Sequence, residues 1–129
     1  MGNQVNRRRH ERFVVPPMYT PISVRLLDET VFTLEGHAYD ISEAGVQFEL
    51  DHPIAPGTPI AIQLMLPPNA DELGPGRSVY AIANVIWLVD DPDEPGPVRM
   101  ACAFTSFARL GDRERLIRHL VRGRYARAA

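Results

Sequence analysis

The stretch from Asp40 to Leu50, D-I-S-E-A-G-V-Q-F-E-L, decides the fold of this chain. In its second half, Val46, Phe48 and Leu50 alternate with polar residues, which predicts a half-buried strand. The run before it, T-V-F-T-L-E-G-H-A-Y-D-I over residues 30–41, predicts another strand. Only S-E-A links the two runs, which is too short for anything but a turn. The stretch therefore predicts two neighbouring strands joined by a tight turn.

Further strands are predicted on both sides of this stretch, bounded by loops rich in proline, glycine or acidic residues. The runs are P-I-S-V-R-L-L (residues 21–27), I-A-I-Q-L-M-L (60–66), V-Y-A-I-A-N-V-I-W-L-V (79–89) and V-R-M-A-C-A-F-T-S-F (98–107). With the first two, they make six strands joined mostly by short loops, which predicts a small, closed or nearly closed antiparallel barrel. The run over residues 79–89 is apolar on both faces, which predicts that a helix or another subunit covers its outer side.

The last part of the chain has a helical period. Apolar residues recur at helical spacing at Leu116, Ile117, Leu120, Val121 and Tyr125. This pattern predicts one amphipathic helix with its apolar stripe on the barrel and its arginines in solvent. Asp112 is expected to cap the start of the helix, and Gly123 to weaken or end it.

These patterns predict an all-β fold with a C-terminal helix, in one domain. The first residues are polar and unpatterned, and Pro16-Pro17 separates them from the first long strand. We therefore expect residues 1–15 to form a flexible N-terminal arm. The barrel is expected over residues 16–108, and the helix with its tail over residues 109–129.

The composition limits the classes of function. The chain has 129 residues and a formal net charge of −2, which argues against a dedicated binder of double-stranded DNA. All 14 basic residues are arginine, so a single arginine carries little information by itself. Because we find neither an apolar run long enough to span a bilayer nor a signal-peptide pattern, we expect a soluble, cytoplasmic protein.

We find no sequence pattern for catalysis or for metal binding. The four histidines are scattered without metal-ligand spacing. The single cysteine, Cys102, lies in an alternating run that predicts a buried, inert thiol. Ser42 lacks a G-x-S-x-G elbow, and no glycine-rich loop ends in Lys-Ser or Lys-Thr. We therefore expect no catalytic residue, no metal ion and no cofactor.

The stretch R-R-R-H-E-R-F, residues 7–13, is rich in arginine. Arg8 and Arg12 have a spacing that places both side chains on the same side of either a helix or a strand. Both guanidinium groups can therefore reach one ligand. The same R-x-x-x-R spacing recurs near the end of the chain, so by itself it identifies nothing.

Residues 40–45 form a second motif, D-x-S-x-x-G, which is rarer by chance in a chain of this composition. Two interpretations stay open for it. In the first, Asp40, Ser42 and Gly45 shape an Asx or serine turn between two strands, with Gly45 at a positive φ angle. In the second, the same residues contribute to a ligand site.

Taken together, these features resemble the PilZ domain family. The resemblance rests on the R-x-x-x-R arm before the first long strand, the D-x-S-x-x-G turn, a strand containing N-V-I-W and the closing helix. It covers the chain from Arg7 to about Tyr125. PilZ domains bind the bacterial second messenger cyclic di-GMP on a six-stranded barrel, so the resemblance implies this ligand. The long loop over residues 67–76 and the arginine-rich tail after Gly123 have no role that the resemblance implies.

The resemblance also implies roles for single residues. Arg8 and Arg12 match the arginines that hold guanine and phosphate, while Asp40, Ser42 and Gly45 match the second motif of the family. Arg7 matches an accessory arginine that is associated with binding two stacked nucleotides. Arg7 and Arg9 are further candidate ligand contacts, and plain charge steering of an anionic ligand stays open as the alternative use of either.

The implied function is that of a receptor. Cyclic di-GMP would draw the arm onto the barrel and change the surface seen by an unidentified downstream protein. One alternative is a nucleotide-independent adaptor that uses the apolar strand over residues 79–89 for docking or for dimerisation. Another is a barrel that binds single-stranded nucleic acid through arginines and aromatic residues such as Phe13, Tyr19 and Trp87, against which the low basicity counts. The sequence leaves monomer and homodimer both open.

Overall fold

The computed structural model of the protein describes residues 11–67, 78–89, 93, 96–123 and 125–128. Most of the predicted arm, including Arg7, Arg8 and Arg9, lies outside this part of the chain, as does most of the long loop predicted over residues 67–76.

The described residues contain seven strands, one short 3-10 helix and one α-helix. In chain order they are β1 (Phe13–Val14), the 3-10 helix (Pro17–Tyr19), β2 (Pro21–Leu26), β3 (Leu34–Ile41), β4 (Gly45–Leu50), β5 (Pro59–Met65), β6 (Ser78–Val89), β7 (Val98–Phe107) and α1 (Asp112–Arg122).

The strands form a closed antiparallel barrel. Their order in the sheet is β1-β3-β2-β5-β6-β7-β4, and a further pairing of β3 with β4 joins the two sides into a ring. Strands β2 to β7 make the ring, and β1 is added along the outer end of β3. The predicted barrel of six strands with a C-terminal helix is therefore confirmed.

The hairpin of β3 and β4 is the one predicted from residues 30–50, with a later start. Strand β3 begins at Leu34, because the residues before it form a turn in which the Arg25 guanidinium donates to the carbonyl oxygen of Glu29 at 2.6 Å. Ile41 lies opposite Val46 at the tight turn. A register shift between Ala38 and Asp40 marks a bulge in β3, which bends the strand just before the turn.

The core fills the inside of the barrel with the apolar residues that alternate along each strand. In β6, the inward residues from Val79 to Val85 are buried, as the alternation requires. The helix α1 packs against β6, but through Leu116 and Leu120, which belong to the same buried cluster as the inward residues of the strand, so a cover over its outer side stays a prediction. Ile86 and Val89 remain 54% and 61% exposed.

The barrel begins before the end that was predicted for the arm. Phe13 and Val15 are 8% and 1% exposed and belong to the core. The Val15 N–H donates to the carbonyl oxygen of Tyr39 at 3.0 Å, and β1 pairs with β3. The arm predicted to extend to residue 15 therefore gives way to the barrel at Phe13, because the apolar pair Phe13 and Val15 is buried despite the prolines that follow it.

The helix α1 lies on the barrel through Leu116 and Leu120, which are at most 2% exposed. Val121, which was predicted to share this stripe, is 67% exposed, so the buried stripe is narrower than its apolar pattern. The helix ends before Gly123 as predicted. No helix among the described residues combines the length and the apolar character that crossing a bilayer would require.

Asp112 does not cap the helix, contrary to the prediction. The N-cap is Gly111, with φ at 88°, and Asp112 is the first residue of the helix. The Asp112 carboxylate is buried and accepts hydrogen bonds from the Tyr80 N–H at 3.0 Å, from Arg109 Nε at 3.1 Å and from Arg115. The side chain therefore ties the start of α1 to β6.

We expect Asp112→Asn to lower the free energy of unfolding by about 2 kcal/mol at neutral pH, since a charged acceptor is lost. Burial alone would raise the pKa of Asp112, but the hydrogen bonds from Arg109 and from the Tyr80 N–H hold it below its ordinary value of 3.8. The stabilisation by the carboxylate is thus present above that value and is lost as the pH falls through the lower pKa of the folded state.

Urea unfolding measured from pH 7 to pH 3 checks this prediction. The difference between the two proteins should narrow below about pH 4, where the carboxylate of the unfolded chain takes up a proton while the native one is still charged. Glu114→Gln, an exposed change in the same helical turn, is the control and should have little effect at any pH. A difference between wild type and Asp112→Asn that did not depend on pH would contradict the assignment of the effect to charge.

Candidate functional site

A pocket of about 280 Å³ opens beside the turn between β3 and β4. Its walls come from the residue before β1, from the ends of β3 and β4, and from the facing parts of β6 and β7. The lining residues are Arg12, Asp40, Ser42, Ala44, Gly45, Val46, Gln47, Ile86, Trp87, Ala101, Cys102 and Ala103. Four residues predicted from the two motifs thus meet in one pocket.

Arg12 and Asp40 form the charged part of this pocket. Strand β1 pairs with β3 so that Val14 lies opposite Asp40, which brings the preceding Arg12 alongside the same carboxylate. Arg12 Nη1 lies 3.9 Å from Asp40 Oδ1, and the two side chains are 29% and 14% exposed. The pocket therefore presents a planar cation and a carboxylate side by side, both accessible to a ligand.

Ser42 holds the shape of the turn. Its hydroxyl oxygen accepts hydrogen bonds from the Ala44 N–H at 3.0 Å and from the Gly45 N–H at 3.2 Å. The Ser42 N–H donates to the carbonyl oxygen of Gly45 at 2.9 Å. The predicted serine turn is therefore present, and the Ser42 hydroxyl keeps its own proton as a donor.

Gly45 is required for a different reason than the one predicted. The described glycines with positive φ are Gly57, Gly96 and Gly111, so the expected positive φ at Gly45 is wrong. Gly45 is instead the first residue of β4, in extended backbone opposite Ala103 of β7. A Cβ atom at Gly45 would lie 2.2 Å from the carbonyl oxygen of Cys102, so only glycine allows this approach of the two strands.

Trp87 lines the pocket, although the sequence linked it only to nucleic-acid binding and to the N-V-I-W run. The register of β6 with β7 shifts between Val85 and Trp87, which marks a bulge. Because a bulge breaks the alternation of inward and outward side chains, both Ile86 and Trp87 reach the pocket. The indole adds a flat apolar surface on which a base can stack.

The turn of the second motif is also joined to the helix. Arg113 of α1 donates to Glu43 in the middle of the turn, with Nη2 and Oε2 2.9 Å apart. Their side chains are 52% and 25% exposed. This exposed ion pair contributes little stability, but it places α1 next to the pocket turn.

Cys102 belongs to the pocket wall as a neutral thiol. Its side chain is 2% exposed, and burial raises its pKa to about 12. The prediction that Cys102, the only cysteine of the chain, is buried is therefore confirmed. Among residues that the structure describes, no group of three or more His, Cys, Asp or Glu is arranged to hold a metal ion.

Comparison with known protein families gives a match to one model. The model of the PilZ domain matches residues 6–122, which is most of the chain. The chain belongs to the PilZ domain family. A comparison with curated proteins gave no match.

Solved structures with the same fold include other PilZ proteins. The PilZ domain of YcgR from Escherichia coli, solved with cyclic di-GMP, is 23% identical, with a TM-score of 0.62 over 91% of this chain and 93% of that one. A crystal structure of YcgR in complex with cyclic di-GMP is 22% identical, with a TM-score of 0.62, and the match covers 91% of this chain and 47% of that chain. The inhibitor of motility MotI from Bacillus subtilis is 19% identical, with a TM-score of 0.65 over 91% of this PilZ chain. This PilZ chain spans about half the length of MotI, 51%.

Proposed function

We propose that this PilZ domain is a receptor that binds cyclic di-GMP in the pocket formed by Arg12, Asp40, Ser42 and Gly45. The observation that supports the proposal most is the meeting of the two motifs. Arg12 comes from the R-x-x-x-R motif and Asp40 from D-x-S-x-x-G, and their charged groups lie 3.9 Å apart on one pocket. The solved PilZ domain of YcgR, with the same fold, holds cyclic di-GMP.

The chemistry of the pocket suits a guanine nucleotide. An arginine can fork onto a phosphate, pair with guanine O6 and N7, and stack on a purine face. The Asp40 carboxylate can accept from the guanine N1–H and N2–H groups, which adenine does not offer. Trp87 supplies an apolar surface for a base. Selectivity for guanine over adenine would therefore come from Asp40 and the arginines together.

The size of the pocket favours a site that is completed by the arm. Ligand pockets commonly enclose about 300–1,000 Å³. The pocket beside the turn has about 280 Å³, so a cyclic dinucleotide would extend beyond it. Arg7, Arg8 and Arg9 precede Arg12 by a few residues and are within reach of the exposed part of such a ligand. We expect these arginines to close over the nucleotide, with Arg8 as the principal contact.

The proposed output is a change of surface and not a reaction. Closure of the arm would alter the barrel surface near the turn, and a downstream protein partner would recognise the altered surface. No reacting group needs to be assigned for this role.

Calorimetry with cyclic di-GMP, cyclic di-AMP and GTP tests the proposed function. We expect saturable binding of cyclic di-GMP, and much weaker or no binding of the other two. Cyclic di-AMP lacks the donors that Asp40 would accept from, and GTP carries a single guanine, so it could fill only part of the site. Absence of binding heat with cyclic di-GMP at high protein concentration, together with an unchanged melting temperature, would overturn the proposal. The nucleotide-independent adaptor would then be the better interpretation of the fold.

A further inference from the structure

The segment after the helix pairs with the root of the arm. The Val14 N–H donates to the carbonyl oxygen of Ala126 at 2.7 Å, and the Ala128 N–H donates to the carbonyl oxygen of Arg12 at 2.8 Å. Phe13 and Arg127 form an antiparallel bridge between these two bonds. We call residues 125–128 the strap. The strap lies on the side of β1 that is not paired with β3, so β1 is held from both sides.

Side chains reinforce this pairing. The Arg127 guanidinium lies over the ring of Phe13, with Cζ of Arg127 4.6 Å from the ring centroid. The same guanidinium forms an ion pair with Glu11. Arg127 and Glu11 are both largely exposed, so the ion pair is screened and the contact with the buried Phe13 matters more. The contacts of Arg127 thus fall on the residues that flank Arg12.

The strap is itself anchored to the helix. The Tyr125 hydroxyl lies 2.9 Å from Nε2 of His119, a residue of α1 that is fully buried. The ring centroids of these two residues are 6.0 Å apart in a stacked arrangement. The start of the strap is therefore fixed relative to the barrel, and its end pairs with the arm.

The strap supports the pocket without filling it. None of the described pocket-lining residues belongs to the strap. Its contact with the site runs instead through the backbone of Arg12, whose carbonyl accepts from Ala128 while its guanidinium lies 3.9 Å from Asp40. Fixing this backbone before the ligand arrives removes an ordering cost that the ligand would otherwise have to meet.

From these contacts we infer that the strap, residues 125–128, is a positioning element that holds Arg12 and the root of the arm ready for the ligand, and so sets the affinity of the site. This inference rests on the proposed function, because it names a regulator of the same pocket. It also assigns a role to part of the arginine-rich tail. The role is one of positioning, since no strap residue is proposed to touch the nucleotide.

The test compares the full chain with a variant that ends at Tyr125. The variant keeps the Tyr125 contact to His119 but loses the Ala126 carbonyl, Arg127 and the Ala128 N–H. We expect its affinity for cyclic di-GMP, measured by calorimetry, to fall about tenfold or more, because ordering even one backbone residue costs a comparable factor. The urea midpoint of the barrel should change little.

Point variants separate positioning from general damage. Arg127→Ala should weaken binding by at most about fivefold through the loss of the contact with Phe13. The matched control is Arg118→Ala, which removes the same charge from an exposed residue of α1 and should leave the affinity unchanged. Ala128→Pro removes the N–H that donates to Arg12 and restricts the backbone at this position while it keeps the Arg127 side chain, and it should reproduce most of the loss seen in the shortened chain.

The outcomes distinguish this inference from the proposed function. If the full chain binds cyclic di-GMP and the variant ending at Tyr125 binds equally well, the strap does not set affinity and the inference is overturned. If the full chain does not bind cyclic di-GMP, the proposed function fails first. In that case, hydrogen exchange at the Val14 amide tests whether the strap holds the backbone at the root of the arm. Equal protection in both chains would overturn the role of the strap, and faster exchange in the shortened chain would retain it.

Discussion

Replacing Arg12 by alanine is expected to weaken the binding of cyclic di-GMP about 100-fold or more. Arg12 supplies the guanidinium in the described pocket and lies 3.9 Å from the carboxylate of Asp40. Truncating one member of a partly desolvated charge pair at a binding site typically costs about 2–5 kcal/mol, and about 3 kcal/mol corresponds to a factor of more than 100. Calorimetric titration of the purified variant measures this loss directly.

Two further variants show whether the planar fork of Arg12 or only its charge is needed. Arg12→Lys keeps the positive charge but lacks the planar fork that pairs with two acceptors in a bidentate geometry, so we expect it to recover only a small part of the affinity. Arg122→Ala, which removes an exposed arginine from the end of α1, should bind like wild type. Full affinity in Arg12→Ala, with an intact melting transition, would exclude Arg12 from the site.

Replacing Gly45 by alanine is expected to destabilise the barrel by about 3 kcal/mol. The new methyl group would be placed 2.2 Å from the carbonyl oxygen of Cys102, which is backbone and cannot rotate away. Strands β4 and β7 would have to separate at the point where the pocket turn begins. The same displacement should move Ser42 and Asp40, so binding of cyclic di-GMP should also weaken.

Gly57→Ala is the control that separates steric contact from backbone conformation. Gly57 has φ at 90°, but a methyl group added there would meet no neighbouring atom within 4 Å, so its substitution costs only the left-handed backbone, about 1 kcal/mol. Thermal and urea unfolding of both variants measures the difference. A loss at Gly45 no larger than the loss at Gly57 would contradict the explanation from close approach.

The barrel could be predicted from the sequence because its cause is local. Alternation of apolar and polar residues in runs such as residues 46–50 reports which side chains face the core, and short loops restrict how neighbouring strands can pair. The tight turn after Ile41 likewise depends on consecutive residues. Elements of this kind need no knowledge of distant parts of the chain.

The features that were missed depend on contacts between distant residues. The bulge that brings Trp87 into the pocket follows from how β6 registers against β7, which no local pattern records. The two-residue strand β1 and the strap are too short to show alternation, and β1 is defined by its pairing with β3 and with the strap, both distant in sequence. The positive φ predicted for Gly45 was wrong, because the requirement for glycine comes from Cys102, its neighbour in space.

The candidate site likewise combines residues that are close in sequence with a contact between distant residues. Asp40, Ser42 and Gly45 lie close together in one turn of the chain, so their proximity could be predicted from their spacing. The approach of Arg12 to Asp40 could not be derived from spacing, since it depends on the pairing of β1 with β3. The resemblance to PilZ domains was what joined the two motifs before any distance between them was known.

The single thiol in the barrel wall is a chemical probe for the opening of the site. Cys102 is the only cysteine of the chain, is 2% exposed, and lies opposite Val46 in the pair of β4 with β7. Alkylating reagents attack the thiolate, which a pKa of about 12 keeps scarce while the strands stay together. The rate at which a reagent labels the protein therefore reports how often these two strands separate. A ligand bound at the turn would lower this labelling rate.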